Sequence, residues 1–152
     1  MLDTCEKAIC RKIASMFEYA GKTGYRPVSF TTTWLESDTS KELYTIEPCA
    51  IAQSYPYHLH SLEKEMQEKG IVLSSDTSET YEDVMYWAGY IFSYWIFLEG
   101  ISGDEIIEKY DIKHILECYD TYHTLSPEVA IDKIKEDWNM EQNAFEDFLD
   151  EK

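Results

Sequence analysis

The chain has 152 residues, of which 44% are hydrophobic and 14% aromatic, and this excludes wholesale disorder because a packed core can be built from them. Its 13 Lys and Arg face 30 Asp and Glu, a net charge of −17, and the excess is lopsided: residues 1–75 hold 8 cations and 10 anions, residues 76–152 hold 5 and 20. So acidic a second half repels nucleic-acid phosphates and draws basic surfaces, which argues against direct nucleic-acid binding and for a cationic partner.

At this length one helical domain is expected over 1–152, with a near-neutral part (1–75) and a strongly acidic part (76–152). Ile9, Ile13, Met16, Phe17 and Ala20 recur at helical spacing and predict a helix over 3–20, stopped by Gly21. From Tyr25 to Gln53 two patterns compete. Val28, Phe30, Thr32 and Trp34 alternate as in a small extended element, whereas Ser29 could cap a short helix through Leu35, and Thr39 with Glu42 forms a second capping box. Short helices are the favoured reading, since a lone hairpin has little sheet to join. Ser54 and Pro56 open a helix carrying Leu59, Leu62 and Met66, which ends at Gly70.

Asp76 with Glu79 is expected to cap a long aromatic helix over about 78–99, ended by Gly100. Within it Val84–Leu98 is an uncharged run of 15 residues, short of the roughly 18–20 that span a bilayer, so a buried central helix is expected and no membrane span. Ser102 and Glu105 open a helix to Tyr110, and Asp111 caps one with Ile112, Ile115, Leu116 and Tyr119. Ser126 and Pro127 start a helix with Ala130, Ile131, Ile134 and Trp138 on one face, and Phe145, Phe148 and Leu149 suggest a separate last helix. The expected architecture is all-α, a compact bundle of seven or eight helices around the central aromatic one.

Chemistry-bearing residues are few. His58 and His60 on a helix point about 200° apart, a poor start for a metal site, and no further ligands offer themselves. Tyr119, Asp120 and His123 could make a general base oriented by a carboxylate, but a His in a last turn more simply satisfies free carbonyls. No complete catalytic, cofactor or metal constellation is found, so an enzyme is not expected. The N-terminus carries no export pattern, and reduced thiols in a cytoplasm are expected for Cys5, Cys10, Cys49 and Cys118. The 12 Tyr and four Trp suit surfaces that are part apolar and part wet, and Tyr86, Tyr90 and Tyr94 recur on one face while Trp87, Ile91, Trp95 and Leu98 recur on its neighbour. One stripe could serve the core and the other a partner, a second copy of the chain included.

Ile101-Ser102-Gly103 with Glu105, then Tyr110, Tyr119 and the His123-Thr124 ending, make residues 90–137 similar to a family of short bacterial proteins of unknown function. Trp34-Leu35-Glu36-Ser37 through Gln53-Ser54 and Tyr57 also looks like a helical element of small mobile-element proteins. Genes of the first family often stand beside ADP-ribosyltransferase-like genes, so the resemblance implies an antitoxin-like role. The expectation is therefore an acidic cytoplasmic module that neutralises a protein with a basic surface through Glu117, Tyr119, Asp120, Asp132, Glu136 and Asp137. The rival expectation is a nucleic-acid mimic that inhibits a host defence nuclease, and a third is an enzyme centred on a histidine.

Overall fold

A computed structural model describes residues 2–45 and 53–150. Among them, nine helices run in chain order: α1 Thr4–Lys22, α2 Pro27–Glu36, α3 Asp38–Thr45, α4 Tyr55–Glu68, α5 Glu82–Glu99, α6 Gly103–Lys109, α7 Ile112–Glu117, α8 Tyr119–Tyr122 and α9 Pro127–Asp150. The all-α expectation holds. The extended element shrinks to one isolated antiparallel bridge, Tyr25 with Ser75, beside which the Arg26 N–H donates to the Ser74 carbonyl at 3.0 Å. The rest of the expected stretch divides between α2, α3 and residues 46–52, which lie outside those described.

The organising contact is α1 against α5. Ile9, Ile13, Met16 and Phe17 on one helix meet Met85, Ala88, Ile91 and Phe92 on the other, all buried. The two backbones can close because small residues face each other. A Cβ on Gly89 would stand 2.8 Å from the Ile13 carbonyl oxygen and 2.9 Å from the Ala14 Cα. Gly21 does the same work at the end of α1, where an added Cβ would sit 2.7 Å from the Tyr81 carbonyl oxygen. It therefore lies inside the helix and does not stop it; Thr23 is the C-cap, and Gly24, at φ 98°, makes the turn.

Around this pair α2, α6 and α7 close one side, and α3 and α4 another. Phe17, Phe30 and Trp34 meet edge to face, with centroids 5.0 and 6.3 Å apart. Trp34 Nε1–H donates to the Tyr44 hydroxyl at 3.1 Å, and that hydroxyl shares a 2.6 Å bond with Ser93 of α5. The Trp34 N–H and the Tyr44 and Ser93 hydroxyls thus satisfy one another inside the core. Burial holds the Tyr44 phenol well above its ordinary pKa, so it stays neutral there.

Helix starts follow their caps where the cap is local. Asp3 and Glu6 complete a capping box on α1, Ser102 accepts from the Glu105 N–H, and Asp111 accepts from the Lys113 N–H. Other expected caps are not formed. α2 begins at Pro27 behind Arg26, not at Ser29, because a proline already fits the first turn. α3 is capped twice: the hydroxyl of Ser37, just before it, accepts from the Ser40 N–H at 3.0 Å, and Glu65 of α4 accepts from the Asp38 and Thr39 N–H groups at 2.9 and 2.8 Å. Asp76 spends its carboxylate on Ser78, and α5 starts at Glu82. α9 is continuous to Asp150, so there is no separate last helix.

Cys10 and Cys118 are free thiols, and burial, with Glu6 adding its charge, pushes the Cys10 thiol up to about 12. Cys5 is disulfide-bonded, which corrects the expectation of reduced thiols at that position.

Candidate functional site

An open cleft forms where α5 leaves the cover of α9. The Tyr stripe of α5 is graded along its length. Tyr94 is buried and donates its hydroxyl to Glu128 at 2.5 Å, Tyr90 is half-buried, and Tyr86 is exposed. The neighbouring stripe of Trp87, Ile91 and Trp95 is buried, so the two faces divide roughly as a core face and a surface face. Opposite Tyr86 and Tyr90 stand Tyr119 and His123 of the α8 segment, with Arg11 and Glu18 of α1 at one side and Leu125 and Pro127 at the other. Together they enclose an open cleft of about 530 Å³, within the size range of ligand or side-chain pockets.

The cleft walls are fixed by aromatic contacts. Tyr119 stacks on His123 with centroids 4.5 Å apart and meets Trp87 edge to face at 5.8 Å. His123 Nδ1–H donates to the Tyr119 carbonyl at 2.8 Å, so this imidazole closes the last turn of α8 and its ring forms wall instead of acting as a base toward Asp120. Burial, with the charges of Asp83 and Asp120 behind it, raises the Tyr119 pKa, and burial raises that of Tyr90. Both phenols are therefore neutral donors at physiological pH. The rim carries one guanidinium, Arg11, and two exposed carboxylates, Glu18 and Asp83. Aromatic faces beside carboxylates suit a cationic or amphipathic side chain entering from outside.

The six expected contact residues do not form one patch. Tyr119 lines the cleft, with Glu117 and Asp120 exposed beside it on α7 and α8. Asp132 and Glu136 lie one turn apart on the outward face of α9, both exposed. Asp137, about 100° further round that helix, turns toward α8 and accepts a hydrogen bond from the Tyr122 hydroxyl. That bond raises the Tyr122 pKa to about 12 and ties α8 to α9, so Asp137 is half-buried and engaged within the chain.

Of the other candidates, His58 is buried on α4 and His60 is exposed, as helical geometry requires. Among the described residues no group of three His, Cys, Asp or Glu is placed to hold a metal ion. Arg11, Leu125 and Pro127 were not readable as site residues, since only the packing of α1 and the α8–α9 turn against α5 brings them to the tyrosines. The i, i+4 spacings of Tyr86 with Tyr90 and of Tyr119 with His123 were the signals that pointed here.

Comparison of the chain with protein-family models, with curated proteins and with solved structures finds no match.

Proposed function

We propose that this protein is an acidic interaction module that binds, and by binding neutralises, a protein partner with a basic surface, in the manner of an antitoxin. One observation carries the reading: an aromatic cleft of about 530 Å³ opens beside the exposed carboxylates Glu117 and Asp120. Buried aromatic anchors surrounded by charge are the usual composition of tight protein contacts, and the excess negative charge steers a cationic partner toward them. Glu117, Tyr119, Asp120, Asp132 and Glu136 are the contact residues of this reading, and Asp137 supports them by holding Tyr122. The antitoxin-like part rests on the sequence resemblance. Among the described residues no helix is long and apolar enough to cross a membrane.

The test is a pull-down from native lysate at two ionic strengths with the Glu117→Lys/Asp120→Lys/Asp132→Lys/Glu136→Lys variant. A captured partner should be lost, and the steep salt dependence of its capture should flatten. Capture that is unchanged in both respects removes the reading. A second reading, a DNA-mimicking inhibitor, is favoured by the one-turn spacing of the exposed Asp132 and Glu136 on α9, which sets carboxylates in a row. Duplex DNA that displaces the captured partner selects it over the first.

A further inference from the structure

α9 is two different surfaces in one helix. Through Trp138 it lies on the body: Ala130, Ile131 and Ile134 are fully buried, and Trp138 packs on Tyr110 and His114 with centroids 6.0 and 5.5 Å away. From Asn139 to Leu149 every residue is exposed. The apolar stripe nevertheless continues past the point where burial ends. At about 100° per residue, Phe145 and Leu149 fall within roughly 20° of the direction of Trp138, the same face that Ile131 and Ile134 turn to the core. Phe145 is 59% exposed and Leu149 51%. The sequence thus carries a core-type face for about three further turns with no described element beneath it, in the ridge spacing that a second helix packs against.

Charge decides what covers it. Between Lys135 and Lys152 the sequence holds seven Asp or Glu and no Lys or Arg. Glu141 interrupts the stripe itself, with the His114 imidazole 3.8 Å from its carboxylate. A second copy laid on this face would bring acidic rims together and press Glu141 against apolar side chains, and an anionic lipid surface would be repelled. A helix with Lys or Arg flanking its own apolar stripe meets neither objection. We infer that the distal half of α9, anchored by Phe145 and Leu149 and rimmed by Glu141 and Glu146, docks a basic amphipathic helix of the partner. The inference rests on the proposed function for the sign of the partner's charge, and adds where the partner is held and in what conformation.

The experiment uses the full chain and two labelled 18-residue peptides, one a Leu/Lys amphipathic helix and one its Leu/Glu counterpart, with binding read by fluorescence anisotropy at 0.15 M salt. The Leu/Lys peptide should bind. Its affinity should fall about 10-fold or more in Phe145→Ser/Leu149→Ser, which leaves the charge unchanged, and about 3-fold in Glu141→Gln/Glu146→Gln. Circular dichroism should show both variants folded, as expected of exposed positions. Wild-type affinity in the Ser variant overturns the inference while the acidic-binder reading survives, because the peptide is then held elsewhere. Equal binding of the Leu/Glu peptide overturns both. A wild-type dimer by light scattering that the Ser variant dissolves assigns the face to a second copy, and no binding of the Leu/Lys peptide overturns the inference directly.

Discussion

Glu65 shows how much one side chain can do when it serves two helices. It caps α3 through two backbone N–H groups, accepts from the Thr39 hydroxyl at 2.7 Å, and pairs with Lys69 at 2.7 Å within its own helix. Burial opposes its ionisation, but the bonds from Lys69, Thr39 and the two amides outweigh that and hold its carboxyl down at about 2. A folded-state value below the unfolded one means that stability is present above about 4.5 and is lost as pH falls toward about 2. Glu65→Gln should cost about 1–3 kcal/mol at neutral pH, measured by urea unfolding, and should flatten the acid limb in that window. His58 titrates with the same consequence. Burial, with Lys12 nearby, lowers its pKa, so it stays neutral in the fold, and relative to His58→Leu the wild type should lose stability as pH drops below about 6.5. Local caps such as Ser102 and Asp111 were legible because donor and acceptor lie two or three residues apart. Glu65 was not, since 26 residues separate it from the Thr39 amide it caps.

Among the elements, α5 was the most legible and its neighbours less so. Its uncharged run announces burial on most sides, and Trp95 is fully covered, with Nε1–H donating to Glu99 at 3.0 Å. Which turn of the Tyr stripe would remain open was not readable, because that depends on where α9 crosses. Gly21 was misread as a stop for a related reason: glycine at a helix end looks the same in sequence whether it turns the chain or admits another backbone. Gly89 is the second such close approach. Gly89→Ala should lower stability by about 1–3 kcal/mol through overpacking, since the obstacles are the Ile13 carbonyl and the Ala14 Cα, which are backbone atoms. Thermal denaturation of the variant checks this, and an unchanged Tm would mean that α1 and α5 can part at little cost. The separate final helix expected near Phe145 merged into α9 because nothing from Asn139 to Phe145 breaks the helical run: no Gly or Pro intervenes.

For the whole molecule the governing quantity is the charge of −17. The ion pairs among the described residues are mostly well exposed, as Lys41 with Asp104 at 2.7 Å and Lys69 with Asp38 at 3.3 Å are, and such pairs offset little of the repulsion. Raising NaCl from 0.02 to 0.5 M should therefore raise the Tm, because screening relieves more repulsion than attraction. A Tm that falls would show the surface pairs outweighing the net charge. The imbalance between the halves was legible from composition alone; its division into a cleft rim, an outward ridge on α9 and an acidic overhang needed the fold. The thiol of Cys10, protonated and shut inside the α1–α5 seam, has one more use. A maleimide or iodoacetamide reaches it only when those two helices separate, whereas half-buried Cys118 samples smaller excursions around α8. The lag between labelling at the two sulfurs, followed by mass spectrometry, would time how often the molecule breathes at its centre against its margin.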